Sequence, residues 1–132
     1  MNEVYVLIPA INEEKSISKV IENIPDGFVK EVIVVDNGSV DNTVAAAKTS
    51  GAVVLSEPVR GYGAACLKGL EYILGKCDNS DIIVFLDGDY SDYPEEMKII
   101  AGPVLNENYD MVIGSRILGR DLGKTEKNSL LP

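Results

Sequence analysis

Short runs of apolar residues recur along the chain and alternate with segments of helical periodicity. Five runs are predicted to be β-strands, at residues 4–8, 32–35, 52–55, 82–86 and 111–113. Each run is almost continuously apolar, which is typical of central parallel strands that are covered on both faces. The pattern therefore predicts a parallel sheet whose strands are joined by crossover helices.

The segments between these runs carry apolar residues at helical spacing. Four helices are predicted, at residues 13–24, 41–50, 63–74 and 94–105. The last has the clearest start, because Asp92 can cap it, Pro94 suits its first turn and Glu95 stands at the spacing of a capping box. The alternation predicts an α/β fold, either a doubly wound sheet or the nucleotide-binding half of a larger one, with loop from Gly114 onward.

The composition limits the chemistry that such a fold can perform. The chain has 132 residues, 12 Lys plus Arg against 21 Asp plus Glu, a formal net charge of −9 and no histidine. An acidic chain repels a phosphate backbone, so nucleic acid is excluded as a partner. The absence of histidine removes Ser-His-Asp triads, histidine acid–base catalysis and histidine-ligated zinc. Carboxylates, hydroxyls or a hard divalent cation such as Mg²⁺ or Mn²⁺ remain.

The cysteines and the two termini bear on the cellular compartment. Cys66 and Cys77 are predicted to lie at the body and end of one helix, about 16 Å apart along its axis, which is too far for a disulfide. Two reduced thiols, the absence of a long apolar run and the absence of a signal peptide predict a cytoplasmic protein. Because the chain stops at the apolar segment Ser129-Leu130-Leu131-Pro132, with no helix or strand completed after it, we expect it to be the N-terminal part of a longer protein.

The loop after the fourth strand is the first candidate for chemistry, since open α/β sheets bind ligands at the carboxyl ends of their strands. Asp87-Gly88-Asp89 follows five consecutive apolar residues, which places two carboxylates at the mouth of a central strand. These carboxylates repel each other unless a cation binds, so Asp87 and Asp89 are candidate ligands of a divalent metal ion. The alternative is a loop of solvated acids that caps the next helix, and this is the better interpretation of the acids at positions 92, 95 and 96.

The loop after the second strand is the next candidate. Asp36 ends that strand, and Gly38 in the following turn suits a positive φ. One interpretation is an Asx turn, with Ser39 or Asp41 capping the next helix. The other is that the Asp36 carboxylate accepts hydrogen bonds from a nucleobase or ribose.

Two further segments open predicted helices. Asn12 and Glu13 favour a helix N-terminus, where acids are stabilised by the helix dipole, and Glu13 is equally a candidate ligand-binding residue. Arg60 and Gly61 precede the third helix, where glycine lets a ligand approach the backbone closely. The segment is a poor match to a dinucleotide fingerprint, because Cys66 stands at its sixth position and it follows the third strand, so a dehydrogenase is excluded.

In this order the motifs resemble those of the N-terminal catalytic region of family 2 glycosyltransferases, most closely the branch of polyprenyl-phosphate (dolichyl-phosphate) hexose synthases. The resemblance covers essentially all 132 residues. It rests on five motifs in family order and spacing: Ile8-Pro9-Ala10 with Asn12-Glu13-Glu14, Val34-Val35-Asp36 with Gly38-Ser39 and Asp41-Asn42-Thr43, Arg60-Gly61-Tyr62-Gly63-Ala64-Ala65, Leu86-Asp87-Gly88-Asp89 before Pro94-Glu95, and Gly114-Ser115-Arg116.

The resemblance implies a GT-A fold, a Rossmann-like three-layer α/β/α sandwich with a mostly parallel sheet, in which residues 1–132 form a single nucleotide-sugar-binding domain. It implies that Asp87 and Asp89 hold Mg²⁺ or Mn²⁺ near the diphosphate, and that Asp89 and Arg116 are the catalytic residues. The residues implied in nucleotide-sugar binding are Pro9, Ala10, Asn12, Glu13, Asp36, Gly38, Arg60, Gly61, Asp87 and Gly88. Many dolichyl-phosphate mannose synthases have Gln and His where this chain has Ser91 and Asp92. The third metal ligand and the identity of the sugar therefore stay open.

The implied activity is metal-dependent, inverting transfer of a hexose from a UDP or GDP sugar to an acceptor, most closely a polyprenyl phosphate. A lipid phosphate is already an anion and needs no general base, whereas a saccharide hydroxyl needs a carboxylate that in the family lies beyond the last residue of this chain. We therefore expect residues 1–132 to bind nucleotide without transferring sugar. The basic side chains between Arg116 and Lys127 suit a segment near an anionic membrane, with the whole protein at its cytoplasmic face.

Two alternatives belong to other functional classes. Asp87 and Asp89 also resemble the nucleophile loop of haloacid-dehalogenase phosphatases, although that fold normally carries the motif on its first strand. The second alternative is a nucleotide-binding half-domain without catalytic activity. The oligomeric state stays open in all three interpretations.

Overall fold

The computed structural model describes residues 3–78, 80–90 and 94 of the chain. In chain order, its strands and helices are β1 (Val4–Ala10), α1 (Ile17–Glu22), β2 (Glu31–Asp36), α2 (Thr43–Thr49), β3 (Val53–Ser56), α3 (Tyr62–Leu74) and β4 (Ile82–Phe85). The predicted alternation of strands and helices is therefore confirmed through the fourth strand. The predicted fifth strand and fourth helix, with its Asp92 cap, lie outside the described residues.

The four strands form one parallel sheet in the order β3-β2-β1-β4. The chain adds β2 and then β3 on one side of β1, and afterwards crosses to the other side to add β4. The order of strands therefore reverses between β1 and β4. In open α/β sheets, ligands bind in the crevice outside the carboxyl ends of the strands at such a reversal.

Helices cover both faces of the sheet, as the continuously apolar strands predict. On one face, α1 and α2 pack against the side chains of Val6, Ile8 and Val34. On the other face, α3 packs against Leu7, Ile33 and Val35. Alternate residues of β1 and β2 thus serve opposite cores, and the result is a three-layer α/β/α arrangement.

Gly69 allows α3 to lie close to the sheet. A Cβ atom at this position would come within 2.5 Å of Leu7 Cδ1 and 2.7 Å of Leu7 Cγ. Leu7 is completely buried in the centre of β1, so it has little room to move. The close approach of helix and strand therefore depends on a residue without a side chain.

The sheet opens where β1 and β4 end. Their pairing stops at Leu7 and Phe85, and the last bond along it runs from the Leu86 N–H to the Leu7 carbonyl. The backbone N–H and C=O groups of successive residues point to alternate sides of a strand. The backbone of Pro9 therefore faces β4, as that of Leu7 does, but beyond the last paired residues. Pro9 lacks an N–H and is tolerated there in a central strand. The divergence leaves space between the two carboxyl ends.

Every described element differs from its predicted bounds by at least one residue, and three differences from the predictions stand out. Strand β1 continues through Ala10, because β2 pairs with it as far as Asp36. Helix α1 begins at Ile17 rather than at residue 13, since residues 14–16 form a turn closed by the Glu13 carbonyl. Cys77 lies beyond the end of α3 rather than on it, although both cysteines are free as predicted.

Candidate functional site

A cleft of about 340 Å³ lies at the carboxyl ends of β1 and β4. It coincides with the reversal of strand order, where the topology places a ligand site. Loops that follow three different strands and the first turns of α3 form its walls. The lining residues are Pro9, Ala10, Ile11, Glu13, Asn37, Tyr62, Ala65, Asp87, Gly88 and Asp89.

The loop that carries the two aspartates is held against α1. Asp87 and Asp89 are exposed on either side of buried Gly88, and the Ser16 hydroxyl donates a 2.6 Å hydrogen bond to the Gly88 carbonyl. Tyr90, which follows Asp89, has a φ of +62°. The hydrogen bond from Ser16, the N-cap residue of α1, therefore holds this loop, and both aspartates are exposed at the cleft.

The charge in the cleft is strongly negative. Burial raises the pKa of Glu13 above its usual range, and the nearby carboxylates of Asp89, Asp87 and Asp41 raise it further. A divalent cation would relieve this repulsion, and carboxylate oxygens are its preferred ligands. The described residues contain no group of three or more His, Cys, Asp or Glu side chains arranged to hold a metal ion. A cation bound at these aspartates would therefore need water or a phosphate-bearing ligand to complete its coordination.

Asp36 occupies the turn that the sequence predicts. Its Oδ2 accepts hydrogen bonds from the N–H groups of Gly38, at 3.3 Å, and Ser39, at 3.2 Å, and Gly38 has a φ of +97°. The other carboxylate oxygen, Oδ1, is buried and has no hydrogen-bond partner in the described part of the chain. An unpaired buried acceptor costs about 1–3 kcal/mol, so a donor that reached this oxygen would stabilise it.

The loops after β1 and β2 are bonded to each other. The Asn12 N–H donates to Ser39 Oγ, while Asn12 Oδ1 accepts from the Val40 N–H. The Glu13 N–H donates to Thr43 Oγ1. The side-chain oxygen of Asn12 thus supports the loop, whereas the Glu13 side chain lines the cleft.

Asn37 connects the cleft to the segment between β3 and α3. Its side chain bonds to the backbone of residues 57, 59 and 61. Gly61 caps the N-terminus of α3 with a φ of +127°, and the Arg60 Nε lies 3.5 Å from the position that a Cβ on Gly38 would occupy. The side chain of Asn37 therefore connects the residue after β2 to the start of α3.

The predicted site residues separate into three groups. Those that line the cleft are Pro9, Ala10, Glu13, Asp87, Gly88 and Asp89. Those that lie outside the lining, in the turns that support it, are Asn12, Asp36, Gly38, Arg60 and Gly61. Arg116, together with Ser91 and Asp92, lies outside the described residues.

Four lining residues were not predicted from the sequence to be part of the site: Ile11, Asn37, Tyr62 and Ala65. The last two belong to a segment that the sequence does single out, at the start of the third helix. Asn37 follows directly after Asp36, and its position after a buried strand was the available signal. Nothing in the local sequence connects it with residues 57–61.

The fold and the cleft define an α/β protein with an acidic, cation-suited site at a topological switch point. The profile of Glycosyl transferase family 2 matches residues 5–130, and the chain belongs to this family. The resemblance of the motifs to family 2 is therefore confirmed.

Two proteins illustrate the similarity. A UDP-N-acetylglucosamine–dolichyl-phosphate N-acetylglucosaminyltransferase of Methanococcus voltae is 31% identical over 134 residues, covering 86% of this chain and 52% of its own length. The crystal structure of glucosyl-3-phosphoglycerate synthase from Mycobacterium tuberculosis with Mg²⁺ and UDP has a TM-score of 0.74 at 36% identity, covering 92% of this chain and 46% of that one. The same enzyme has also been solved with Mn²⁺, UDP-glucose and phosphoglyceric acid, with a TM-score of 0.71 at 35% identity over 86% of this chain and 43% of that one.

These similarities establish the GT-A fold expected from the motifs. The chain spans 49% and 52% of the length of two curated relatives and 33% of a third. Relatives named for a dolichyl-phosphate acceptor and for phosphoglycerate both match it.

Within residues 3–78, 80–90 and 94, no helix has the length and apolar character needed to cross a membrane.

Proposed function

We propose that residues 1–132 form the nucleotide-sugar-binding domain of a metal-dependent, inverting glycosyltransferase that transfers a hexose from a UDP sugar to a polyprenyl phosphate. The observation that carries the proposal is the cleft between β1 and β4, in which Asp87 and Asp89 directly follow a buried strand. Membership of family 2 supports the reaction class. The phosphatase alternative for Asp87 has no support in the family match, and we do not retain it.

Asp87 and Asp89 are the residues proposed to hold Mg²⁺ or Mn²⁺. A divalent ion at this position supplies Lewis-acid stabilisation of the charge that develops on a diphosphate leaving group. The Ser16–Gly88 hydrogen bond keeps the loop of the two aspartates in place before the nucleotide arrives. Pro9, Ala10 and Ile11 line the same cleft and offer contact surface to the nucleotide.

The hydrogen-bonding capacity that remains at the Asp36 carboxylate suits uracil better than guanine. Its Oδ2 already accepts two backbone N–H groups, so a single buried oxygen remains for a base. Uracil presents one ring N–H, which one acceptor satisfies. Guanine presents a ring N–H beside an amino group, and this pair is best matched by both oxygens of a carboxylate. We therefore propose UDP as the nucleotide of the donor.

The acceptor is proposed as a polyprenyl phosphate because its phosphate oxygen is already an anion and needs no general base. A relative named for transfer to dolichyl phosphate supports this choice. Arg116, outside the described residues, is proposed to approach the phosphates of the donor or acceptor. In a chain of the relatives' full length, transfer to a lipid phosphate supports the proposal, and transfer only to 3-phosphoglycerate or a saccharide refutes it.

The donor site is tested by calorimetric titration of the 132-residue chain with UDP and GDP, with and without Mn²⁺. We expect UDP to bind more tightly than GDP, and Mn²⁺ to strengthen the binding of UDP. Asp26→Asn serves as a matched control for variants of the site, because Asp26 is exposed and lies outside the cleft. Equal affinities for UDP with and without Mn²⁺ would contradict the assignment of Asp87 and Asp89 as metal ligands.

A further inference from the structure

The side chain of Asn37 holds the segment between β3 and α3 through three hydrogen bonds. Its Nδ2 donates to the carbonyls of Glu57 and Val59, each at 2.8 Å, and its Oδ1 accepts from the Gly61 N–H at 2.9 Å. Its own backbone N–H donates to the Ala10 carbonyl at the end of β1. Asn37 therefore connects the end of a central strand to the whole path of residues 57–61.

Asn37 lines the cleft, yet its amide has no donor left for a ligand. A side-chain amide carries two N–H donors, and both bond to the backbone carbonyls of the loop. The residue is 7% exposed, so rearrangement of these bonds on ligand binding would disturb its buried neighbours. Its influence on a ligand must pass through the segment that it holds.

That segment sets the position of one wall of the cleft. It ends at Gly61, whose carbonyl accepts the Ala65 N–H in the first turn of α3. Tyr62 and Ala65 of this turn line the cleft together with Asp87 and Asp89. A shift of residues 57–61 would therefore move the wall that shares the cleft with the proposed metal ligands.

The turn around Asp36 is held in a different way. Its bonds to the N–H groups of Gly38 and Ser39 are local and do not involve the Asn37 side chain. Loss of the Asn37 amide should thus disturb the α3 wall and leave the carboxylate turn in place. The two parts of the site can be separated by experiment.

We infer that Asn37 is a positioning residue that holds the β3–α3 segment and the first turn of α3 where the diphosphate of the nucleotide binds. The inference rests on the proposed function, because it assumes that the cleft takes a nucleoside diphosphate. Residues 58–61 are exposed, so water can replace the lost bonds and the fold should survive substitution of Asn37.

The test compares Asn37→Ala with wild type and with Asn23→Ala. The control also removes an asparagine bond to a backbone carbonyl, since Asn23 Nδ2 donates to the Lys19 carbonyl, but Asn23 lies outside the cleft. NMR titrations with uridine and with UDP plus Mg²⁺ give the two affinities. For Asn37→Ala we expect the affinity for UDP to fall about tenfold and the affinity for uridine to stay within about twofold. The tenfold fall corresponds to the free energy of about one hydrogen bond at the diphosphate. Asn23→Ala should change neither affinity.

Amide hydrogen exchange of Gly61 provides a second readout that needs no ligand. We expect exchange at Gly61 to accelerate about tenfold or more in Asn37→Ala and to be unchanged in Asn23→Ala. Unchanged exchange at Gly61, or unchanged UDP affinity, would overturn the positioning role while leaving the proposed function intact. An equal loss for uridine and UDP would also overturn it, because the effect would not be specific to the diphosphate. Failure of the wild type to bind UDP would reject the proposed function and, with it, this inference.

Discussion

The Asp36→Asn substitution changes the buried carboxylate that is proposed to receive the nucleobase, with almost no change in shape. Asparagine can keep its oxygen toward the N–H groups of Gly38 and Ser39, which now bond to Asp36 Oδ2. Its amino group then occupies the position of Oδ1, the buried oxygen without a partner in the described part of the chain. If uracil binds as proposed, a donor at this position would face its ring N–H, where an acceptor is required.

The expected loss of affinity follows from the bond that is removed. A hydrogen bond to a charged group contributes about 1.5–3 kcal/mol, so the affinity for uridine and for UDP should fall about 10- to 150-fold. The stability of the unliganded protein should respond differently. Burying an unpaired carboxylate oxygen is unfavourable, so its replacement by a neutral amide should leave the free energy of unfolding unchanged or raise it by up to about 1 kcal/mol.

The two effects are measured by titration of uridine and UDP and by thermal unfolding of the unliganded chain. The loss of affinity should be present with uridine alone and without metal, because Asp36 lies outside the cleft lining to which the aspartates proposed to hold the ion belong. Asp26→Asn should leave both affinities unchanged. Unaltered binding of uridine by Asp36→Asn, or a marked fall in its stability, would refute the reasoning and return Asp36 to the role of a turn residue.

Three further substitutions test the cation, the packing and the acid stability. Asp89→Asn should abolish the enhancement of UDP binding by Mn²⁺ while leaving uridine affinity and unfolding temperature unchanged, and calorimetry that still shows the full enhancement would contradict this. Gly69→Ala should lower the free energy of unfolding by about 1–3 kcal/mol, because the new Cβ would overlap buried Leu7, and denaturant unfolding measures the loss. Hydrogen bonds from the backbone N–H groups of residues 78 and 3 lower the pKa of Asp81 below its ordinary value of 3.8, so the stability that they provide is present above that value and is lost as the pH falls below it. Asp81→Asn should therefore flatten the fall in stability at acid pH, and acid unfolding curves of equal slope for wild type and variant would count against it.

The elements of the fold could be predicted because each depends on a local pattern. Continuous apolar runs identify β1 to β4 to within about two residues, since a strand buried on both faces has no polar positions. The start of α1 was predicted too early, because acidic residues at 13 and 14 favour a helix N-terminus, yet the chain first makes a turn closed by the Glu13 carbonyl. Cys77 was predicted at the end of this helix, but α3 ends at Leu74 with Gly75 as its C-cap.

The sequence by itself determined the strands, the covering helices and the acidic character of the loops that follow β1, β2 and β4. The absence of histidine and the position of Asp87 and Asp89 after an apolar run were enough to indicate a cation-dependent site. These conclusions depend on residues that are close in the chain, or on composition.

Only the tertiary structure decided which loops meet. The strand order β3-β2-β1-β4 brings the ends of β1 and β4 together, although more than 70 residues separate them along the chain. The same order lets Asn37 bond to residues 57–61 and leaves one oxygen of Asp36 buried without a partner among the described residues. Local periodicity specifies which residues are strands but not which strands are neighbours, because that choice depends on packing both faces of the sheet at once.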